Sequence, residues 1–482
     1  MTHEQENFVN YVLKLEKGMV LLNAPAGYGK TSTLKVLQSL LKGRSVFCAP
    51  THKAKDVLIA DGVNAMTIHR FLGTKARTIK NGETIYEIGT KMNSLYSFWC
   101  NIQTEYKQIS KLIKKNGYIF VDEASMINDD MFFHFKKLSE KHVVVFTGDD
   151  LQLLPVNTVI ETDEDNHELA MVVSETVSKV FTETNIDKFT FTKNLRCREK
   201  VSTLLLERAR DAVKKQRMPD SIAYATFDEI KQDFLNREDT VVLAYSNKQV
   251  NHYNAEIRKA LFGKPGEVLQ KYYPEETLLF TGISKSVHKE PIYIDLEDVP
   301  NVFNQLLEIP PHIEFLKEKP KTFDNMITYE NVSYTTGMRV IINHVDKVKY
   351  RLLVNKEIEF YRLIDINGYI WHKPVDTLSF NRFMKEVNNY CMDLQKNMRE
   401  NELSLSDIWS VKNLLKDYLN TDLKYRYAMT VHKSQGSQFE KVYVDRINIL
   451  NSTRQSQLLR CNCYYTAISR HIDIVRDIAP RE

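Results

Sequence analysis

The residues with the sharpest spacing lie in the amino-terminal third. Ala24-Pro25-Ala26-Gly27-Tyr28-Gly29-Lys30-Thr31 stands between an apolar run and a helix-forming run. A glycine loop there aims backbone N–H groups and a helix dipole at an anion. Lys30 can reach the β- and γ-phosphates of a nucleoside triphosphate such as ATP, Thr31 can offer a hydroxyl to Mg²⁺, and Ala26, Gly27, Tyr28, Gly29 and Ser32 can line the phosphates. The usual pattern begins with Gly where this chain has Ala24, a harmless methyl if φ is negative. Further on, Tyr118-Ile119-Phe120-Val121-Asp122-Glu123 delivers two acids at the end of an apolar strand, where open α/β sheets bind ligands. Asp122 suits Mg²⁺ held through water; Glu123 suits a base that orients and deprotonates an attacking water. The plainer readings are a chance glycine-rich turn and two acids that cap the next helix.

These residues need a parallel sheet behind them. The run Met19–Asn23 predicts a strand, Thr31 to about Gly43 a helix, and Ser45–Ala49 a second strand, which is a βαβ beginning. Tyr118–Val121, Val143–Thr147 and Val241–Ala244 have strand length and the apolar character of a sheet covered on both faces. Two regions break this rhythm. Arg77 to Tyr86, with Asn81-Gly82 at its centre, predicts a hairpin. From Gly263 to Leu423 an irregular stretch leads into a β-rich block, Gly337–Trp371, turning at Asn367-Gly368, and then a mostly helical stretch, Asn381–Leu419, as in an insertion bearing a small barrel. Trp371, with Lys347, Lys349 and Tyr350 nearby, suits either core packing or contact with a strand. The acidic stretch Glu161–Glu168 reads as a solvated loop, and no internal repeat is evident.

A length of 482 residues suggests about three folding units, and 43% apolar residues suffice for large cores. Lys plus Arg total 66 against 62 Asp plus Glu, a net +4, which excludes a polybasic binder and confines any nucleic-acid surface to a local groove. The six cysteines lack CxxC spacing, and Cys461-x-Cys463 reads as packing rather than a metal site. With no basic leader and no apolar run near the ~18 residues that cross a bilayer, the expected setting is intracellular and cytoplasmic, in host cytoplasm for a phage or virus.

Taken with Gly148-Asp149-Asp150-Leu151-Gln152-Leu153-Leu154-Pro155, the motif order resembles the superfamily 1 helicases, and more narrowly the 5′→3′ branch, superfamily 1B, that contains RecD and Dda. The resemblance covers nearly the whole chain. It implies that Gln5 reads adenine, that Gln152 and Arg196, in Asn194-Leu195-Arg196, serve catalysis, and that Arg470, in Tyr465-Thr466-Ala467-Ile468-Ser469-Arg470, is an arginine finger. It also implies single-strand contacts at Pro50, Thr51, His52, Lys53, Thr67 and His69 in the first domain and at Thr430, His432, Lys433 and Ser434 in the second, within Tyr427-Ala428-Met429-Thr430-Val431-His432-Lys433-Ser434-Gln435-Gly436-Ser437. Family members commonly carry Thr at Ser469, a change that keeps the hydroxyl.

The implied fold is α/β: two RecA-like P-loop domains with parallel sheets, a hairpin insertion in the first and a barrel-bearing insertion in the second. The boundaries would be 1–73 and 100–200 for the first domain, 74–99 for its hairpin, a wedge in this family, 201–263 and 424–482 for the second, and 264–423 for its insertion. The implied activity is ATP- and Mg²⁺-dependent 5′→3′ translocation with unwinding. The implied partners are single-stranded DNA, duplexes with a 5′ tail and proteins of replication or recombination, with repair a further setting; no membrane partner is implied. Phosphate contacts serve RNA as well as DNA, and the same ATPase could gate a single-strand clamp or displace bound proteins without strong unwinding.

Overall fold

The computed structural model describes residues 1–41, 43–72, 74–78, 84–88, 117–153, 155, 157–162, 169–174, 177–195, 200–236, 239–281, 284–287, 292–295, 313–316, 332–335, 338–352, 356–396, 422–453 and 456–480. Two compact units result, one from Met1–Leu261 with Tyr427–Glu482 and the other from Phe262–Arg426. The first unit contains the two large parallel sheets.

Its first sheet starts from α1 (His3–Lys14), β1 (Gly18–Asn23), α2 (Lys30–Leu41), β2 (Ser45–Ala49), α3 (His52–Ala60), β3 (Ala65–Thr67) and α4 (Ile68–Leu72). An antiparallel pair, β4 (Thr74–Thr78) with β5 (Thr84–Ile88), follows, then β6 (Tyr118–Val121) and β7 (Val143–Gly148). A second antiparallel pair, β8 (Asn157–Thr162) with β9 (Leu169–Ser174), precedes β10 (Asp187–Thr190). The strand order is β10-β1-β7-β6-β2-β3, with every pairing parallel. Parallel strands must bury both faces, and β1 does so by alternation. Val20 and Leu22 join one apolar cluster, while Met19 and Leu21 join the other.

The predicted hairpin exists as β4 and β5; its Asn81-Gly82 turn lies outside the described residues. The expected acidic loop is corrected in part. Glu161 and Thr162 belong to β8, paired with Ala170 and Leu169, because the alternating Asn157–Thr162 run finds a partner beyond the acids.

The second sheet takes β11 (Tyr224–Ala225) and β12 (Thr240–Ala244) from before the insertion, and β22 (Ala428–Thr430), β23 (Phe439–Val444) and β24 (His471–Ile478) from after it. Its order is β11-β24-β23-β12-β22, again parallel throughout. Both sheets carry the parallel α/β arrangement of RecA-like domains. Cys461 and Cys463 are fully buried in the core beneath this sheet, consistent with packing. No helix among the described residues is long and apolar enough to cross a membrane.

The second unit centres on an antiparallel five-stranded sheet in the order β20-β19-β18-β13-β21, from β13 (Thr277–Phe280), β18 (Arg339–Leu352), β19 (Lys356–Asp365), β20 (Ile370–Pro374) and β21 (Leu423–Tyr425). Between β13 and β18 come two small pairs, β14 (Ser284–Val287) with β17 (Val332–Thr335) and β15 (Ile292–Asp295) with β16 (Ile313–Leu316). A helix, Thr377–Lys396, covers part of the expected helical stretch; 397–421 lie outside the described residues.

Trp371 is fully buried among strands of this sheet, so it packs rather than presenting a face to a strand of nucleic acid. Its indole Nε1 donates to Asp365 Oδ2 (3.3 Å), while Asp365 Oδ1 accepts from the backbone N–H of Asn367 (2.8 Å) and Tyr369 (3.0 Å). One carboxylate thus sets the turn at Gly368, whose φ is 84°, and anchors the core. Asp365→Ala should destabilise the second unit by about 2–4 kcal/mol, since buried donors lose a charged acceptor; differential scanning calorimetry should show a lowered melting transition.

Candidate active site

The phosphate-loop segment joins β1 to α2 and is bonded to its surroundings at both ends. Ala24 N donates to Gly148 O at the end of β7 (2.8 Å), and Leu195 N donates to Gly27 O (2.8 Å). Gly27 and Gly29 have φ of 90° and 84°. At Gly29 the positive φ favours glycine, and a Cβ would come within 2.5 Å of Gln5 Nε2 and 2.9 Å of Leu195 Cδ1, so a side chain there would also displace the Gln5 amide. Ala24 is not among the described non-glycine residues with positive φ, which are Glu123, Gln216 and Glu275, so its methyl is tolerated.

Lys30 opens α2, and its ammonium donates to Ala24 O (2.6 Å) and Pro25 O (3.1 Å), folding across its own loop. Gly29, Lys30, Thr31, Ser32, Leu195 and Gln438 help line a cavity of about 250 Å³. Ala26, Gly27 and Thr31 are half-buried, Ser32 is exposed and Tyr28 is buried. Gln438, contributed from beyond the insertion, escaped the sequence reading.

Gln5 is buried and its amide is engaged at both ends. Oε1 accepts from Thr2 N (2.9 Å) in a capping box that starts α1, and Nε2 donates to Gly29 O (3.3 Å). In this structure Gln5 braces the glycine loop.

Asp122 and Glu123 follow β6. Thr147 Oγ1, on the neighbouring β7, donates to Asp122 Oδ1 (2.6 Å), fixing the rotamer of that carboxylate. Glu123 has left-handed backbone, φ 53° and ψ 50°, a conformation that costs a non-glycine residue about 1–3 kcal/mol and clusters at functional sites. Its Oε2 is buried without a protein hydrogen-bond partner. Burial and the neighbouring Asp122 push the Glu123 carboxyl above its ordinary pKa, while Arg470 and Lys30 pull it down and Asp149 raises it further. Charges from both ends of the chain therefore act on one carboxylate.

Arg470 is buried beyond the helix Gln457–Ile468. Its Nε donates to Thr466 O (3.1 Å), and its Nη2 to Ser469 Oγ (3.0 Å), a contact that uses the Ser469 hydroxyl. Burial pulls its guanidinium below its ordinary pKa, against Glu123, Tyr465 and Asp149. Gln152 is buried with Oε1 unpartnered, and its carbonyl accepts from Asn462 Nδ2 (2.9 Å). Arg196 lies outside the described residues; the adjoining Asn194 and Leu195 are described.

The expected single-strand contacts sit at helix starts. Thr51 Oγ1 accepts from Ala54 N (3.1 Å), Thr67 Oγ1 from Arg70 N (3.2 Å) and Thr430 Oγ1 from Lys433 N (3.3 Å). Each hydroxyl caps a helix and keeps its own hydrogen to donate. Pro50 is buried before this turn, and His52 and Lys53 form the first turn of α3. His69 is half-buried, His432 and Lys433 are exposed, and Ser434 is buried with Oγ donating to Val431 O (2.7 Å). A Cβ at Gly436 would lie 3.2 Å from Ala54 Cα, so the segment after β22 packs directly on the start of α3.

A short local likeness links the two halves without amounting to an internal repeat. Ala65-Met66-Thr67-Ile68-His69-Arg70 and Ala428-Met429-Thr430-Val431-His432-Lys433 are identical at four positions and conservatively changed at Ile68/Val431 and Arg70/Lys433. In each, a short strand at the edge of its sheet ends in a capping Thr and a His on the following turn.

Two family models match the chain, an AAA domain over residues 1–196 and a UvrD-like helicase C-terminal domain over 425–470. Among relatives, the uncharacterized protein R530 of Acanthamoeba polyphaga mimivirus is 24% identical and covers 92% of each chain. The RecBCD enzyme subunit RecD of Buchnera aphidicola subsp. Schizaphis graminum is 21% identical over 95% of this chain and 70% of its own. The ATP-dependent DNA helicase dda of Enterobacteria phage T4 is 22% identical over 92% of each.

The raised Glu123 pKa means the folded state holds this proton more tightly than the unfolded chain does. Stability is therefore lost as pH rises from the ordinary carboxylate range through the folded value. At neutral pH, Glu123→Gln should melt at or above the temperature of the parent protein while ATP turnover falls about 10²- to 10⁴-fold. Thermal melts paired with phosphate release check this; a lower melting temperature with turnover intact would contradict it.

Proposed function

We propose, from the premise that this chain is a superfamily 1B helicase, as its family models and its RecD and Dda relatives support, that it moves 5′→3′ on single-stranded DNA and unwinds duplexes ahead of it. The observation that carries the proposal is that Lys30 and Arg470, from opposite ends of the chain, both act electrostatically on the buried, unpartnered Glu123 carboxylate. Lys30 and the loop Ala26–Ser32 hold the phosphates of ATP, with Thr31 and Asp122 as the residues that would hold Mg²⁺. The donor set fits that ion, because a hydroxyl and a carboxylate leave room for the waters and phosphate oxygens that Mg²⁺ prefers. Mg²⁺ when bound adds positive charge beside the phosphates. Glu123 accepts the proton of the attacking water and Gln152 orients that water. Arg196 and Arg470 stabilise charge on the transferred group, an effect typically of ~10³ to 10⁵ in rate, roughly 4 to 7 kcal/mol.

Nucleotide binding favours one arrangement of the two RecA-like halves, and hydrolysis releases it. The matched caps at Thr67-His69 and Thr430-His432, with Thr51, His52, Lys53 and Lys433, grip backbone phosphates in alternation. Such contacts carry no base information, so binding is sequence-tolerant and weakens with salt. The β4–β5 hairpin serves as the wedge.

Lys30→Ala should retain single-strand affinity yet lose strand-stimulated ATP hydrolysis, checked by fluorescence anisotropy with a labelled oligonucleotide and by phosphate release. Duplexes with a 5′ tail should be unwound and those with only a 3′ tail left intact. The reverse preference would contradict the direction, and stimulation by RNA rather than DNA would move the substrate class.

A further inference from the structure

A buried polar cluster joins the two halves of the first unit at a point that no motif role explains. Asp149, just after β7, is fully buried. Its Oδ1 accepts from Arg210 Nη1 (2.5 Å) and its Oδ2 from the Tyr465 hydroxyl (2.9 Å), while Arg210 Nη1 also reaches that hydroxyl (2.9 Å). Arg210 lies in the helix Lys200–Lys214, stands 5.6 Å over the Tyr465 ring, and has Nη2 3.6 Å from Asp150 Oδ1. Three residues on from Asp149, the Gln152 carbonyl accepts from Asn462, which precedes Tyr465 by three residues on the same helix face. The segment 149–152 is thereby keyed to the helix that leads into Arg470.

We propose that Arg210, Tyr465 and Asn462 are positioning residues for ATP hydrolysis, which clasp Asp149 and Gln152 so that Arg470 and Gln152 are held in register with Glu123. This inference rests on the ATPase reading above and adds residues to it. The chain of contacts is continuous. Arg470 Nε bonds the carbonyl of Thr466, beside Tyr465, and its Nη2 bonds Ser469. Glu123 follows β6, whose neighbour β7 runs straight into Asp149. Burial makes the clasp costly to leave half-made: a carboxylate stripped of its partners inside protein is strongly unfavourable, so the cluster favours one docked geometry. A decorative ion pair at the surface would be worth little, but this one is enclosed between the segments that carry Gln152 and Arg470.

The test is steady-state ATP hydrolysis, with and without a single-stranded oligonucleotide, on the full chain, on Tyr465→Phe and on the pair Arg210→Lys and Arg210→Met. Tyr465→Phe removes one oxygen, and a thermal melt verifies that it folds. Misplacing reacting groups by about 1 Å can cost ~10²-fold. Strand-stimulated kcat should therefore fall about 10- to 100-fold in Tyr465→Phe and Arg210→Met, with the KM for ATP within about twofold of the parent, because the phosphate loop is untouched. Arg210→Lys should recover much of the loss. A kcat within twofold of the parent in Tyr465→Phe, or kcat and KM changing together, would overturn the positioning role. A parent protein with no ATP turnover would instead overturn the functional reading on which it rests.

Discussion

The arrangement depends on one buried charge whose cost its cationic neighbours offset only in part. Glu123 is buried, sits on left-handed backbone and has an oxygen without a protein partner, while Lys30 and Arg470 supply the positive charge that opposes its protonation. Such a carboxylate is a liability to stability unless it is used. Everything around it restrains motion. Asp122 is fixed by Thr147, the phosphate loop is tied to β7 and to Leu195, and Gln5 closes over Gly29.

The two cationic partners reach Glu123 by different routes. Lys30 arrives locally, at the start of a helix that follows a strand of the same sheet. Arg470 arrives only because the chain leaves for the 262–426 unit and returns to complete the second sheet. In the proposed ATPase, one half of the charge complement would lie on each half of the first unit, which would couple the free energy of nucleotide turnover to their relative placement. The paired Ala-Met-Thr caps place the same capping Thr and following His on both halves, which is what the proposed alternating grips would use.

The sequence made the local half of this legible. Apolar runs disclosed β2 and β6 at their observed limits; β6 is buried at every residue, and β2 at its last three. Asn367-Gly368 disclosed its turn through the positive φ that glycine permits. The β8–β9 pair was hidden, since Glu161 to Glu168 reads as solvated while its flanks pair across it. Arg210 and Asn462 were invisible for another reason: their partners lie far away along the chain, and a lone Arg or Asn on an amphipathic helix carries no local signal. The Ala65–Arg70 and Ala428–Lys433 match was present in plain letters, and a direct comparison of the two segments finds it.

The central claim is that one ATP is hydrolysed between residues of the early and late chain. Its most direct measurement is single-turnover hydrolysis by Arg470→Ala in the presence of single-stranded DNA, alongside the affinity for a fluorescent ATP analogue. The account predicts affinity within a few-fold of the parent and a hydrolysis rate lower by ~10³ or more. A rate within about tenfold of the parent would mean that the charge of Arg470 acts on Glu123 for structural reasons alone, and the shared site would not exist.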